Sequence, residues 1–377
     1  MPMSPLQRSG LTRLASRRLT QFQGADASRF LQALLTNDMK NLTRRGDAIY
    51  GAFLSTKGRV IGDCHVLQLQ DDAFVLDYDK GVAGDLMKHW KRYKLRMKVA
   101  IEDKTDALAL YVTLPAMLKD SGSLLRNETA LGTVTEQLQK LWNASGEEGE
   151  AVVFADPRGH EFGVRAIVPV DATVDVPEGY EMMEPSAYVD RCIALGVAEA
   201  TELVDGIPLE CNLDMLHGVS FRKGCYVGQE LTARTQFKGN IRKRIVPAAL
   251  VPAEQHDVVK ALSEGAFKPF DSPSLAALRT YMADSRGWKN VKVPAIGDKV
   301  VVTGEEKAVG TIYNVGKDVS GAIVMMRLSH LLPSVSDDGE MVPTMKFSTQ
   351  DGAFHVVPYQ PSWWPQLDVK TGKTMLL

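Results

Sequence analysis

Lys223-Gly224-Cys225-Tyr226-Val227-Gly228-Gln229-Glu230 sets a single cysteine between two glycines, with Arg222 just upstream. Glycine lets the backbone turn freely and approach a partner with no Cβ in the way. Positive charge nearby favours the thiolate, the form of cysteine that attacks electrophiles and binds metals. The same residues also suit an inert cysteine, because free Cys is among the most buried residue types. Context has to decide between the two.

The other cysteines narrow the choice. Cys64, Cys192, Cys211 and Cys225 are separated by 128, 19 and 14 positions, so no Cys-x-x-Cys pair exists. A zinc ribbon or a thioredoxin-type motif is therefore disfavoured. Four cysteines in 377 residues make no disulfide framework, which fits a reducing compartment. Iron–sulfur clusters usually take four thiolates. If Cys225 touches a cluster, the remaining ligands must come largely from elsewhere, and the cluster would be shared.

The length implies two or three domains. Hydrophobic residues at 45% and charged residues at 24% are ordinary for a globular protein. A net charge of −2 gives no global affinity for nucleic acid. The apolar stretch from Ala107 to Leu118 is short, is broken by Pro115 and cannot span a bilayer. The first twenty residues carry Arg8, Arg13, Arg17 and Arg18 with no acid, which fits either a residual mitochondrial targeting segment or a basic, partly disordered arm over 1–11.

Asp26 is an N-cap candidate, and Phe30, Leu31, Leu34 and Leu35 share the helical face that follows. Ala48–Leu54, Arg59–Leu69 and Ala73–Tyr78 read as strands linked by short polar turns. From Val82 to Met97 an apolar stripe of Leu86, Trp90, Tyr93 and Met97 runs along a basic helix. Its cations, Lys88, Lys91, Arg92, Lys94, Arg96 and Lys98, are a solvated face or a docking surface for an acidic partner. A helix over Pro185–Leu195 puts Tyr188 and Cys192 on one face, which makes Cys192 a core residue. Residues 253–292 read as a polar peripheral insertion. Val300–Val302, Gly310–Val315 and Gly321–Arg327 read as short strands of a small barrel or sandwich. Trp363-Trp364-Pro365 is expected to pack the chain end onto the body.

The cysteine octapeptide resembles the signature of the YgfZ family, folate-binding relatives of the glycine-cleavage T-protein. Further pieces agree in order: Phe30-Leu31-Gln32 with Thr36-Asn37-Asp38; Lys57-Gly58-Arg59; Asp156-Pro157-Arg158 with Gly163 and Arg165; and Pro208-Leu209-Glu210 with Asn212-Leu213-Asp214. The basic start and the Gly-Cys-Tyr context resemble the eukaryotic mitochondrial branch. The resemblance implies an α+β fold, a three-lobed ring with a C-terminal antiparallel β-barrel. The corresponding divisions are a two-lobed folate-binding region over 12–246 and a β domain over 247–377.

It also implies an iron–sulfur cluster assembly factor of the mitochondrial matrix, acting late in [4Fe-4S] maturation. Cys225 would hold a [2Fe-2S] cluster shared with an A-type scaffold. Arg222 and Lys223 would offset its charge, with Gly224, Tyr226, Gly228, Gln229 and Glu230 supporting the loop; a buried structural role is equally open to Glu230. Tetrahydrofolate is expected near Asp79. By ungapped overlay the T-protein's first essential aspartate falls on Gly62, which argues against aminomethyl transfer and against an ordinary enzyme. Asp63, one position along, is expected to face away from the cleft. The alternatives are a folate-dependent one-carbon transferase and a non-catalytic folate-binding module in which Cys225 senses redox state. No nucleic acid partner and no membrane span are expected.

Overall fold

The alternation of apolar and polar residues in the first hundred positions builds a sheet backed by two helices. In the computed structural model, which describes residues 4–117, 128–143, 151–263, 273–284, 291–331, 346–368 and 370–374, the chain opens with β1 (Gly10–Arg13), β2 (Arg17–Gln23) and α1 (Ala27–Leu34). There follow β3 (Ala48–Leu54), β4 (Val60–Gln70), β5 (Ala73–Asp79), α2 (Ala83–Lys94) and β6 (Ala100–Asp103). These strands form an antiparallel sheet in the order β3-β4-β5-β2-β6. Phe22, Phe30, Tyr78 and Trp90 fill the space between it and the helices, with the Phe22 and Trp90 rings edge to face at 4.9 Å.

A second sheet uses β7 (Leu108–Leu114), β8 (Val152–Ala155), β9 (Val164–Pro169) and β10 (Glu181–Met182), separated in the chain by α3 (Glu128–Asn143). Its order is β10-β1-β7-β9-β8, and only the β1–β10 pair is parallel. After α4 (Pro185–Leu195) and α5 (Gln229–Phe237) comes β11 (Lys243–Pro252), then α6 (His256–Ser263) and α7 (Pro273–Ala283). The chain ends in β12 (Lys299–Val302), β13 (Ala308–Val315), β14 (Gly321–Arg327), β15 (Phe347–Thr349) and β16 (Phe354–Pro358). With β11, which pairs both β14 and β16, these close an antiparallel six-stranded barrel. The α+β class and the C-terminal barrel are as the resemblance implied. The expected division at 246/247 falls inside β11.

Several local expectations change. Residues Ser4–Leu11 are no loose arm: Ser4 caps the turn Pro5–Gln7, and Leu6 and Leu11 are fully buried. Met1–Met3 lie outside the described residues. The basic helix stops at Lys94, because Leu95 takes φ +45° and breaks the helical hydrogen bonding. Asp26 does not cap α1 with its side chain; its carboxylate accepts the Lys98 N–H at 2.7 Å instead. Within the stretch read as a polar insertion, α7 buries Leu278 and Met282 completely in the core that contains Ile193. Residues 264–272 and 285–290 of that stretch lie outside the described residues. Cys192 is buried as expected. Trp363 donates its indole N–H to Leu195 O at 2.7 Å, and Trp364 is buried in the barrel core.

Candidate functional site

Cys225 is exposed, whereas Cys64, Cys192 and Cys211 are buried. Burial pushes the Cys64 and Cys192 thiols well up and Cys211 to about 12, so these three stay protonated and inert.

The loop carrying Cys225 is tied down from two sides. On one side lies the C-terminal end of α1, whose last carbonyls have no partner within the helix. The Lys223 ammonium fills that gap, donating to Gln32 O at 2.7 Å, Leu35 O at 2.6 Å and Asn37 O at 2.8 Å. Ser220 N–H donates to Thr36 O and Val227 N–H to Ala33 O, both at 3.0 Å. Lys223 therefore faces the helix end and lies 5.0 Å from the Tyr226 ring centre. Burial lowers its pKa to about 8.

On the other side lies the turn Ser55-Thr56-Lys57-Gly58. Gly228, at φ +81°, starts α5 there, and a Cβ on it would stand 2.3 Å from Ser55 O. A Cβ on Gly58, at φ +75°, would stand 2.8 Å from Gly228 O. Two motifs far apart in sequence thus meet backbone to backbone, which only glycine permits. Gln229 Oε1 accepts the Tyr226 N–H at 3.2 Å and closes the loop. Glu230 is exposed, which removes the buried role left open for it. Arg222 is exposed, and Gly224 has nothing within 4 Å of where a Cβ would sit, so the approach to Cys225 is open.

Phe221 and Phe237 were not singled out in the sequence. They are 37% and 68% exposed, and their rings meet edge to face at 6.2 Å. Phe221 is four residues before Cys225 and Phe237 ends α5. An aromatic pair left in solvent on the segment that carries the thiol is the usual kind of interface anchor. The available signal was two aromatics bracketing an otherwise polar loop and helix.

Gly62 and Asp63 face opposite sides of β4. A Cβ on Gly62 would meet Val82 and Leu86 under α2. Asp63, on the opposite face of β4, is fully buried where the two sheets meet; it accepts the Tyr50 hydroxyl at 3.1 Å and the Ala200 N–H at 2.8 Å. Asp79 caps the turn at Gly81 N–H at 2.7 Å.

Next to Asp63 lies a buried charge network that spacing alone did not reveal. Arg165 donates to Asp77 at 2.7 Å, Asp156 at 2.8 Å and the Tyr188 hydroxyl at 2.6 Å. Arg17 bridges Asp77 at 2.6 Å and Glu199 at 3.3 Å. Arg158 holds Asp156 at 2.9 Å and also bonds Glu199. Three guanidiniums thus meet three carboxylates across both sheets and α4. Burial raises those carboxyls, but the arginines outweigh it and keep Asp77 and Asp156 below the usual range and Glu199 at about 2. The Asp156-Pro157-Arg158 motif is thereby a structural clamp. A second clamp anchors Asn212-Leu213-Asp214: fully buried Arg244 of β11 grips Asp214 through two bonds of 2.9 and 2.8 Å.

Among the described residues, no group of three or more His, Cys, Asp or Glu side chains is arranged to hold a metal ion. None of the described helices is long and apolar enough to cross a membrane.

Comparison with known proteins follows the same lines. The family described as the GCVT N-terminal domain matches residues 7–113. The solved glycine cleavage system aminomethyltransferase T from Bartonella henselae superposes with a TM-score of 0.61 over 96% of this chain and 88% of that one, at 12% identity. The shared fold is thus that of the T-protein. The mitochondrial iron-sulfur cluster assembly factor IBA57 homolog of Neurospora crassa is 36% identical over 277 residues, 68% of this chain and 59% of that protein. The chain spans about three fifths of the length of that relative and of the relatives of the same name from Aspergillus fumigatus and Neosartorya fischeri. The homolog of that name from Mycosarcoma maydis is 30% identical over 391 residues, covering 94% of this chain and 85% of its own length. On that breadth of match, the chain belongs to the family of IBA57 iron–sulfur cluster assembly factor homologues.

Proposed function

We propose that this chain acts late in iron–sulfur protein maturation in the mitochondrial matrix, with Cys225 as its thiolate ligand to a [2Fe-2S] cluster shared with an A-type scaffold, on the way to [4Fe-4S] proteins. The observation that carries the proposal is the contrast among the cysteines: three are sealed in the core and Cys225 alone is exposed, on a loop tied to α1 and to the Ser55–Gly58 turn. A ligand shared between two chains has to be reachable by the second chain while its own backbone stays in place. Phe221 and Phe237 supply the apolar contact that a docking partner would cover. The names of the relatives support the same reading.

Folate-dependent transfer is less well supported. Asp63 is fully buried with both carboxylate oxygens engaged, and Asp79 is engaged at Gly81. The basic face of α2 and the segment after it offer a second contact for an acidic partner, since Lys88, Lys91 and Arg92 of the helix and Arg96 and Lys98 beyond it are exposed.

The test mixes the pure protein with an A-type scaffold under anaerobic, reducing conditions with iron and sulfide. A coloured heterocomplex on size exclusion is expected for the wild type and not for Cys225→Ser. An equally coloured complex with Cys225→Ser would refute the ligand assignment.

A further inference from the structure

Arg191 of α4 is only 4% exposed, yet its Nε and Nη1 have no hydrogen-bond partner. A buried guanidinium is ordinarily paired, because it has given up the hydration of a full charge. Its surroundings deepen the deficit. Burial, with Arg279 of α7 adding a second positive charge close by, brings Arg191 down to about 10. The nearby acids compensate only in part: Arg191 stays lowered although Glu161 acts to raise it. Glu161 accepts the Ser362 hydroxyl at 2.8 Å and stands 3.9 Å from Arg279 Nη2, while Glu181 is engaged with Arg8.

The neighbouring donors are also short of acceptors. Arg279 Nη2 donates to Ser362 Oγ at 2.9 Å, but its Nε is buried without a partner. The Tyr180 hydroxyl, just before β10, is buried without a partner and lies in the field of Arg191. Arg8 Nε is in the same condition. Packing explains why these groups converge: α4 and α7 both rest on the Pro5–Gln7 turn that leads into Arg8, and β10 pairs with β1 just beyond it.

We propose that Arg191, Arg279 and the Tyr180 hydroxyl form a binding site for an oxyanion, the phosphate or carboxylate group of a small acidic ligand. Guanidinium forks match the geometry of both groups, and a phenolic O–H adds a third direction of donation. Bound there, the anion supplies acceptors for the orphaned N–H groups and neutralises the excess of cations. The proposal is independent of the cluster reading.

The test is thermal unfolding of the whole chain in chloride, inorganic phosphate and acetate at equal ionic strength, for wild type and Arg191→Met. The wild type is expected to show a saturable rise of about 2–4 °C in phosphate, in acetate or in both, relative to chloride. Which salt acts identifies the group. Arg191→Met removes the unpaired charge at similar side-chain length and is expected to abolish the rise. Arg191→Lys keeps the charge without the fork and is expected to weaken it, which preserves the test if the methionine variant does not fold. Phosphorus NMR line broadening of phosphate by wild type, lost in the variant that folds, gives a readout separate from stability. Identical melting of the wild type in all three salts, or an undiminished rise in the variants, would overturn the proposal.

Discussion

A Cβ on Gly228 would begin 3.2 Å from the α-carbon of Gly58, so the loop that presents Cys225 and the turn before β4 are held at backbone contact. That contact sets where Cys225 stands. Gly228→Ala, at φ +81° and 2.3 Å from Ser55 O, is expected to cost about 1–3 kcal/mol. Gly224→Ala meets nothing within 4 Å and is expected to melt within a degree or so of wild type. Equal losses in the two variants on thermal unfolding would show that the close approach is not what fixes the loop.

Lys223 holds the loop to α1 through three backbone carbonyls. Lys223→Met leaves those acceptors unsatisfied and should destabilise the protein by about 1–3 kcal/mol. Urea unfolding of the variant checks this, and a stability equal to wild type would show that the three carbonyls do not depend on Lys223.

Arg165 joins Asp77, Asp156 and Tyr188 in the interior. Arg165→Met takes one of two guanidiniums from each of Asp77 and Asp156, which keep Arg17 and Arg158, and is expected to cost about 3–5 kcal/mol by urea unfolding. The sign of the pH dependence follows from the direction of the shifts. Asp77, Asp156 and Glu199 are held below their ordinary values, so their contribution is present above those values and is lost as pH falls through the folded ones. Wild-type stability should therefore drop steeply between pH 4.5 and about 2, where Glu199 takes up its proton. A flat profile in that range would contradict the network's charge assignment.

Glu202 behaves in the opposite sense. Burial raises it from 4.5 to about 7, even though it accepts Asn314 Nδ2–H at 2.5 Å and Glu199 N–H at 3.1 Å. A raised carboxyl contributes stability below its unfolded value that is lost as pH climbs through its folded one. Urea midpoints should fall from pH 5 to pH 8 in wild type, and Glu202→Gln should flatten that slope. The same slope in both proteins would place its origin elsewhere.

The parts of the fold visible in the sequence were those with strong periodicity. The stripe through Leu86, Trp90 and Tyr93 and the nearly continuous apolar run in Ala73–Tyr78 both became the elements expected of them. The barrel strands β12–β14 were marked by glycine and short apolar runs, whereas β15 (Phe347-Ser348-Thr349) and β16, with His355 inside it, mix polar with apolar residues and did not stand out. Orientation was harder to read. Gly62 and Asp63 lie on opposite faces of β4 in either reading, and which face meets α2 depends on packing between distant segments. For the same reason the anchoring of Lys223 at the end of α1 was not legible. Its partners, the carbonyls of residues 32, 35 and 37, lie some 190 positions away in sequence. The Arg17–Arg158–Arg165 network and the Arg191 cluster join residues that carry no common spacing, so only the folded chain brings them together.

The central claim concerns what Cys225 does for a partner's iron. The most direct measurement is iron content and the cluster absorption spectrum of the anaerobically reconstituted heterocomplex, for wild type, Cys225→Ser and Cys211→Ser. The account predicts cluster loss in Cys225→Ser, with Cys211→Ser, whose sulfur is buried, loading like wild type. Full iron loading and an unchanged spectrum in Cys225→Ser would contradict it.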